Sequence, residues 1–179
     1  MSASSPTEHT FPCVSNFQDL VSTPYHGENN AICWARELKG DFSEIVKKIS
    51  INENIKTLTL EELRDLDLSK NGKIARKILL NDFKTLEFHG AKPTLNIIKN
   101  YERDTVFPFL PTDVYSFHVD RSPIATDTFL CTYHGEPSDI LPNSQGTQKI
   151  RIPEIRNELK KLYDGDDSDY WDKHYDRHK

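Results

Sequence analysis

The sequence has few cysteines, and their spacing excludes the common cysteine-based sites. Cys13, Cys33 and Cys131 are an odd number of thiols at wide intervals in a chain of 179 residues. This spacing indicates neither a disulfide framework nor a CxxC zinc clip. Because Cys33 and Cys131 stand among apolar residues, we predict that both are inert thiols of the core.

Long apolar runs and an excess of basic residues are also missing. No stretch approaches the roughly 18 apolar residues of a membrane span, and the start, "MSASSPTEHTFPC", lacks the features of a secretory signal. The formal net charge is -5, whereas nucleic-acid binding needs clustered Lys and Arg side chains. We therefore expect a cytoplasmic protein with no nucleic-acid partner and no membrane partner.

The motifs of a nucleophilic hydrolase are missing as well. The chain contains no Gly-x-Ser-x-Gly elbow. Cys131 and His134 stand three residues apart, so a strand would point them to opposite faces. We therefore predict no catalytic nucleophile.

What the chain does contain fits a single folded domain. Hydrophobic residues make up 36% and charged residues 28% of the sequence, a balance typical of globular proteins. The start, rich in Ser, Thr and Pro, predicts a disordered N-terminus over residues 1–12. Six Asp in residues 164–179 predict a mobile acidic tail over 166–179. We predict that the residues between these two ends, 13–165, form one α+β domain.

Helix signals dominate the first half of the chain. After a short apolar run at 31–34, which indicates a strand or a buried turn, Asp41 and Thr59 each have a Glu three residues on, a pattern typical of a capping box. The segment "GKIARKILLNDFKTLEF" repeats apolar residues at helical spacing. Its mostly basic opposite face is interpreted as solvated rather than as an anion site. The sequence thus predicts three helices between about residues 41 and 88.

Strand signals replace helix signals after Gly90. Short runs rich in β-branched and aromatic residues, among them "DVYSFHVD" and "DTFLCTYH", predict a small, mostly antiparallel sheet from about residue 93 to 134. "IPEIRNELKKLYDG" then predicts a last helix over about 153–163, with Pro153 in its first turn. The expected fold class is α+β, with N-terminal helices packed on the sheet.

His118 and Asp120 form the main candidate site. In a strand both side chains point to one face, so an imidazole nitrogen and a carboxylate oxygen can converge on one divalent ion. His134 is a candidate third ligand, but across a simple hairpin it would lie roughly 12 Å along the strands, too far for bonds of about 2 Å. It becomes a ligand only if the second strand crosses to a facing sheet.

Four segments resemble a bacterial family of uncharacterised domains that is associated with zinc-limitation gene neighbourhoods. They are "NAICWAR", "FLPTDVYSFHVDRSP", "TFLCTYHGEPSDILPN" and "IPEIRNELKKLYDG", and they span roughly residues 29 to 165. The block around His118 is also similar to the metal-binding strand of iron and 2-oxoglutarate oxygenases. That similarity implies a double-stranded β-helix, or jelly roll. We expect a partial one, because the late second His of such folds has no counterpart up to Lys179.

The oxygenase resemblance implies a site and a chemistry. His118 and Asp120 would be the first two ligands of Fe²⁺ or Zn²⁺, with 2-oxoglutarate as the co-substrate of an iron enzyme and an unknown small molecule as the substrate. The candidate pocket residues are Arg121, Tyr133 and Tyr115. Two other hypotheses stay open, namely a metal-binding or zinc-handling protein without turnover and a non-catalytic binding module. In the binding module, His118 and Asp120 would hold the following loop by hydrogen bonds.

Overall fold

Four short strands and five α-helices are found in the part of the chain that the structure describes. The structure is a computed structural model, and it describes residues 11–27, 29–103, 113–118 and 124–163. In chain order the elements are β1 (Cys13–Val14), α1 (Phe17–Ser22), β2 (Cys33–Trp34), α2 (Phe42–Lys48), β3 (Ile55–Leu58), α3 (Leu60–Asp65), α4 (Lys70–Phe88), β4 (Leu95–Ile98), two 3-10 turns (Asn143–Gln145 and Lys149–Arg151) and α5 (Pro153–Tyr163). The predicted combination of helices with a small sheet is confirmed. None of these helices has both the length and the apolar character that a membrane crossing needs.

Helices α2, α3 and α4 surround the main hydrophobic core. Its buried side chains are Phe42, Ile45, Leu63, Leu68, Ala75 and Leu79. Ala75 and Leu79 are one helical turn apart, as expected for the apolar stripe of an amphipathic helix. Ile74, an apolar residue of the same helical segment, is 39% exposed. The three helices predicted between residues 41 and 88 are confirmed.

The helix starts use the predicted capping residues, with one difference. Thr59 and Glu62 form the reciprocal capping box of α3. At α2, Oδ1 of Asp41 accepts a hydrogen bond from the Glu44 N–H at 3.0 Å. A capping box also predicts a bond from the Asp41 N–H to the Glu44 side chain, and this second bond is replaced. The Glu44 carboxylate accepts instead from the N–H and the hydroxyl of Ser69, at 2.8 and 2.6 Å. Because Ser69 is the N-cap of α4, Glu44 ties the starts of two helices together.

An antiparallel pair, β3 and β4, lies beside this core. Ile55 pairs with Ile98, and Leu58 pairs with Leu95. Leu58 is buried and Leu95 packs against the helical core. The sequence pattern did not predict β3, which lies between two of the predicted helices. Within the described residues, β4 is the one strand found inside the sheet predicted from 93 to 134.

Residues 113–118 form a turn, so the strand predicted over "DVYSFHVD" is wrong for the residues described. Oδ1 of Asp113 accepts from the Tyr115 N–H at 3.0 Å, and its carbonyl oxygen accepts from the Ser116 N–H at 3.1 Å. An Asp side chain that binds the backbone two residues on competes with a strand ladder. The strand predicted over 127–134 is also absent; there, Tyr133 stacks on Phe42 of the core.

The three cysteines lie at the surface, so the prediction that Cys33 and Cys131 are core thiols is wrong. Trp34 follows Cys33 in β2 and packs against Phe17, with ring centroids 6.3 Å apart. Because side chains alternate along a strand, the inward ring of Trp34 turns Cys33 to the outside. An apolar neighbourhood in the sequence was therefore a poor indicator of burial.

The predicted C-terminal helix is confirmed as α5, and Leu159 on it is almost fully buried, with 1% of its surface exposed. The predicted acidic tail, 166–179, and residues 1–10 of the predicted disordered N-terminus lie outside the described residues. The two small sheets do not show a jelly roll, which stays a prediction.

Candidate functional site

The candidate ligand His118 is an exposed histidine at the end of the described turn. Its Nδ1 lies 2.7 Å from the carbonyl oxygen of Ser116. A proton on Nδ1 that is donated to this carbonyl places the lone pair of the ring on Nε2. Metal-ligating histidines are commonly held in this way, by a bond from the second ring nitrogen to a backbone carbonyl. His118 therefore has the local arrangement of a metal ligand that uses Nε2.

The turn before His118 is docked on the residues that follow β4. The hydroxyl of Tyr115 donates to Oδ1 of Asn100 at 3.0 Å, and its ring makes an edge contact with the ring of Tyr101. The guanidinium of Arg103 lies 3.8 Å from the centroid of the Tyr115 ring, a cation–π contact. Tyr115, a predicted pocket residue, is thus an anchor of this turn, with its side chain about half exposed.

The remaining predicted ligands are only partly described. Asp120 and the pocket residue Arg121 lie outside the described residues, and His134 is exposed. Within the described ranges, no group of three or more His, Cys, Asp and Glu side chains could hold a metal ion. The imidazole of His118 fits a divalent metal in its donor chemistry. Asp120 would have to supply the second donor to the metal. The assignment of His134 as the third ligand stays a prediction.

Tyr133, another predicted pocket residue, belongs to a polar cluster beside the core. Its hydroxyl donates to Oδ2 of Asp82 at 2.8 Å, and its ring stacks on Phe42 with centroids 5.4 Å apart. Burial, together with the bond to Asp82, raises the pKa of the Tyr133 hydroxyl well above its usual range. At neutral pH Tyr133 is therefore a protonated hydrogen-bond donor.

Arg36 and Asp82 complete this cluster, and the sequence interpretation missed both. Arg36 binds the carboxylate through two nitrogens, Nη1 at 2.9 Å from Oδ1 and Nη2 in a short contact with Oδ2. The bonds to Asp82 raise the pKa of Arg36 further above its high usual value. Its guanidinium also lies over the Trp34 ring, 4.5 Å from the centroid. The sequence offered one signal for Asp82, which stands three residues after the buried Leu79 of α4. An acid on an apolar stripe needs a partner.

An open groove of about 700 Å³ lies next to this cluster, along α4. Its charged lining consists of five cations and two carboxylates: Arg36, Lys73, Arg76, Lys77, Lys84, Glu37 and Asp82. Nη1 of Arg76 donates to the carbonyl oxygens of Arg64 and Leu66 at the end of α3. Among the described residues, no ion pair engages the three lysines of the groove. The groove is therefore locally cationic on a chain of negative net charge.

The chain was compared with protein-family models, with curated proteins and with solved structures, and none of the three comparisons found a match. The arguments for function therefore rest on the residues and contacts described above.

Proposed function

We propose that this protein binds a divalent metal ion, Fe²⁺ or Zn²⁺, through His118 and Asp120. The observation that supports the proposal is the 2.7 Å contact between Nδ1 of His118 and the carbonyl oxygen of Ser116. A proton that Nδ1 donates to this carbonyl orients the ring and places its lone pair on Nε2, the nitrogen that would bind the metal. The exposed position of His118 lets an ion enter from solvent.

The activity that we propose with iron(II) is that of a non-heme oxygenase in a partial jelly roll, and it rests on the resemblance of the block around His118. When bound, iron(II) would supply oxidation chemistry with O₂ and 2-oxoglutarate. In this chain, His118 and Asp120 would hold the ion. The guanidinium of Arg121 would bind a carboxylate of the co-substrate, because its paired N–H groups match two carboxylate oxygens. Zinc has no redox chemistry, so with zinc the same ligands would make a metal-handling protein without turnover.

Metal titration of the purified chain tests this proposal. Under anaerobic conditions, iron(II) and zinc should bind the wild type, and His118→Ala and Asp120→Asn should each weaken binding by tenfold or more. His26→Ala is the matched control, because His26 is an exposed histidine of another loop. Metal binding that is unchanged in both ligand variants, or absent in the wild type, would overturn the proposal. Consumption of 2-oxoglutarate with iron(II) and O₂ separates the oxygenase from the metal-handling protein.

The groove along α4 favours a second candidate, a binding module for a small anionic ligand. Its volume lies in the range of roughly 300–1,000 Å³ that small-molecule sites occupy, and Lys73, Lys77 and Lys84 contribute positive charge to its lining. Titration with inorganic pyrophosphate should then show binding that weakens with salt. Lys77→Gln should reduce it, and Lys92→Gln, outside the groove lining, should not. Equal binding by the two variants would exclude this module.

A further inference from the structure

Cys13 and Cys33 are brought side by side by a strand pairing that the sequence pattern did not predict. The two-residue strands β1 and β2 run parallel, and their register places Cys13 directly opposite Cys33. The Cys33 N–H donates to the carbonyl oxygen of Pro12 at 2.8 Å, which fixes this register. Both residues are exposed. Two thiols that are 20 positions apart in the chain are therefore neighbours at the surface.

The spacing of a β ladder suits a disulfide at this position. Neighbouring strands lie about 4.8 Å apart, which is inside the range of roughly 4.4–6.8 Å that Cα atoms span in disulfides. Directly paired residues also point their side chains to the same face of a sheet. After the effect of desolvation, the neighbouring Cys33 thiol also raises the pKa of Cys13, as expected for two side chains on one face of the ladder. The strand spacing and the register therefore place the two Cα atoms within the range that a disulfide spans.

We propose that Cys13 and Cys33 form a reversible redox site, which is converted to a disulfide by exchange with a low-molecular-weight disulfide such as oxidised glutathione. One cysteine thiolate attacks the glutathione disulfide, forming a mixed disulfide and releasing one glutathione thiolate. The second cysteine thiolate then attacks the protein sulfur of this mixed disulfide and releases the second glutathione. Two protein thiols are oxidised, one glutathione disulfide is reduced, and the two thiol protons pass to the two glutathione products.

The bond would close a loop that carries α1. Phe17 of α1 packs against Trp34, His89 and Phe129, so it joins β2, the end of α4 and the segment before Cys131. In the reduced protein, a ladder of two residues holds β1 beside β2. A disulfide would make that attachment covalent, and its exposed position would keep it accessible to reductant.

Peptide mapping after equilibration with glutathione tests the proposal, with Cys131 as an internal control. After treatment with oxidised glutathione, mapping should find Cys13 linked to Cys33, and a glutathione adduct should be found at Cys131 alone. Dithiothreitol should restore all three thiols. Cys131→Ser should still form the link. Cys13→Ser and Cys33→Ser should each leave one cysteine of the pair, which stops at the mixed disulfide with glutathione.

Two results would overturn the proposal. One is a wild type that stops at mixed disulfides at Cys13 and Cys33, as the single variants do. The other is a link that includes Cys131.

The pH dependence of the rate of disulfide formation is a second measurement, and it does not depend on the variants. Desolvation and the neighbouring Cys33 thiol raise the pKa of Cys13. Formation of the link should therefore accelerate as the pH rises from about 7 to 9, where more thiolate is present.

Discussion

The hydroxyl of Tyr133 donates to the carboxylate of Asp82 at 2.8 Å, across 51 positions of the chain. The same carboxylate pairs with Arg36, from which it is separated by 46 positions. Three distant segments thus meet on one side chain, and only 12% of that side chain is exposed. Hydrogen bonds around one shielded charge reinforce each other, because solvent competes with them less than at the surface. This cluster fixes the residues before and after Tyr133 to α4.

Removing either contact to Asp82 should destabilise the fold. Tyr133→Phe deletes one hydrogen bond and should lower the free energy of unfolding by about 1 kcal/mol. Asp82→Asn removes the charge that Arg36 binds and should lower it by about 2 kcal/mol. Urea unfolding followed by circular dichroism measures both effects, with Tyr25→Phe as a control at an exposed tyrosine. Equal stability of Tyr133→Phe and the wild type would contradict the role of this bond.

The same contact predicts a loss of stability in alkaline solution. Burial and the bond to Asp82 raise the pKa of Tyr133 in the folded protein, whereas a tyrosine of the unfolded chain ionises near about 10. The stabilisation is complete below the unfolded value, and it is lost as the pH rises through the folded value. Melting temperatures measured at increasing alkaline pH should therefore fall more steeply for the wild type than for Tyr133→Phe. Parallel curves would exclude this linkage.

Glu62 should contribute to stability at the acid end of the pH range. The Thr59 N–H and then the Lys56 side chain lower the pKa of Glu62 from 4.5 to about 2. Because the folded value is the lower one, this stabilisation is present above 4.5 and is lost as the pH falls towards 2. The melting temperature of Glu62→Gln should depend less on pH in this interval than that of the wild type. Glu61→Gln, at the exposed neighbouring position of the same helical turn, should keep the wild-type slope.

Gly40 is a position at which no larger residue fits. Its φ is +105°, and a Cβ there would lie 2.5 Å from the backbone nitrogen of Ala75 and 2.9 Å from the carbonyl oxygen of Asn71. Gly90 also has a positive φ, of +92°, but nothing lies within 4 Å of its added Cβ. Gly90→Ala should therefore cost only the backbone strain, about 1 kcal/mol. Gly40→Ala should cost more than about 3 kcal/mol, because α4 must also move. Equal unfolding energies for the two variants would refute this close approach.

Local signals in the sequence were sufficient for α2 to α5, whereas α1 was not predicted. Thr59 with Glu62 predicted the start of α3, and Pro153 predicted the start of α5, because each signal acts within one helical turn. The strands were less predictable, since pairing Ile55 with Ile98 depends on a distant partner and not on the residues of β3.

The polar clusters could not be predicted from local patterns for a similar reason. The segment after Asp113 alternates as a strand would, but the Asp113 side chain binds the Tyr115 N–H and makes a turn. The contact of Arg36 with Asp82 joins segments that no spacing rule relates. The prediction that His118 and Asp120 share a face came from strand alternation, and the described residues 113–118 form a turn instead. The proposed site therefore depends on the residue types and on the contact of His118 with Ser116.

Metal binding at His118 should depend on pH in a direction that the ligand chemistry determines. A histidine coordinates metal only as the neutral imidazole, so ligation competes with protons, and affinity should fall as the pH is lowered from about 8 to 5. Ser116 contributes only its backbone carbonyl to the contact with Nδ1 of His118, and its hydroxyl donates to the Asp113 carbonyl at 2.8 Å. Ser116→Ala should therefore keep metal affinity if the backbone orients the ring. Ser116→Pro, which forces the turn to change, should weaken it. Calorimetric zinc titration at several pH values measures both effects, and an affinity that is independent of pH would show that His118 is not a ligand.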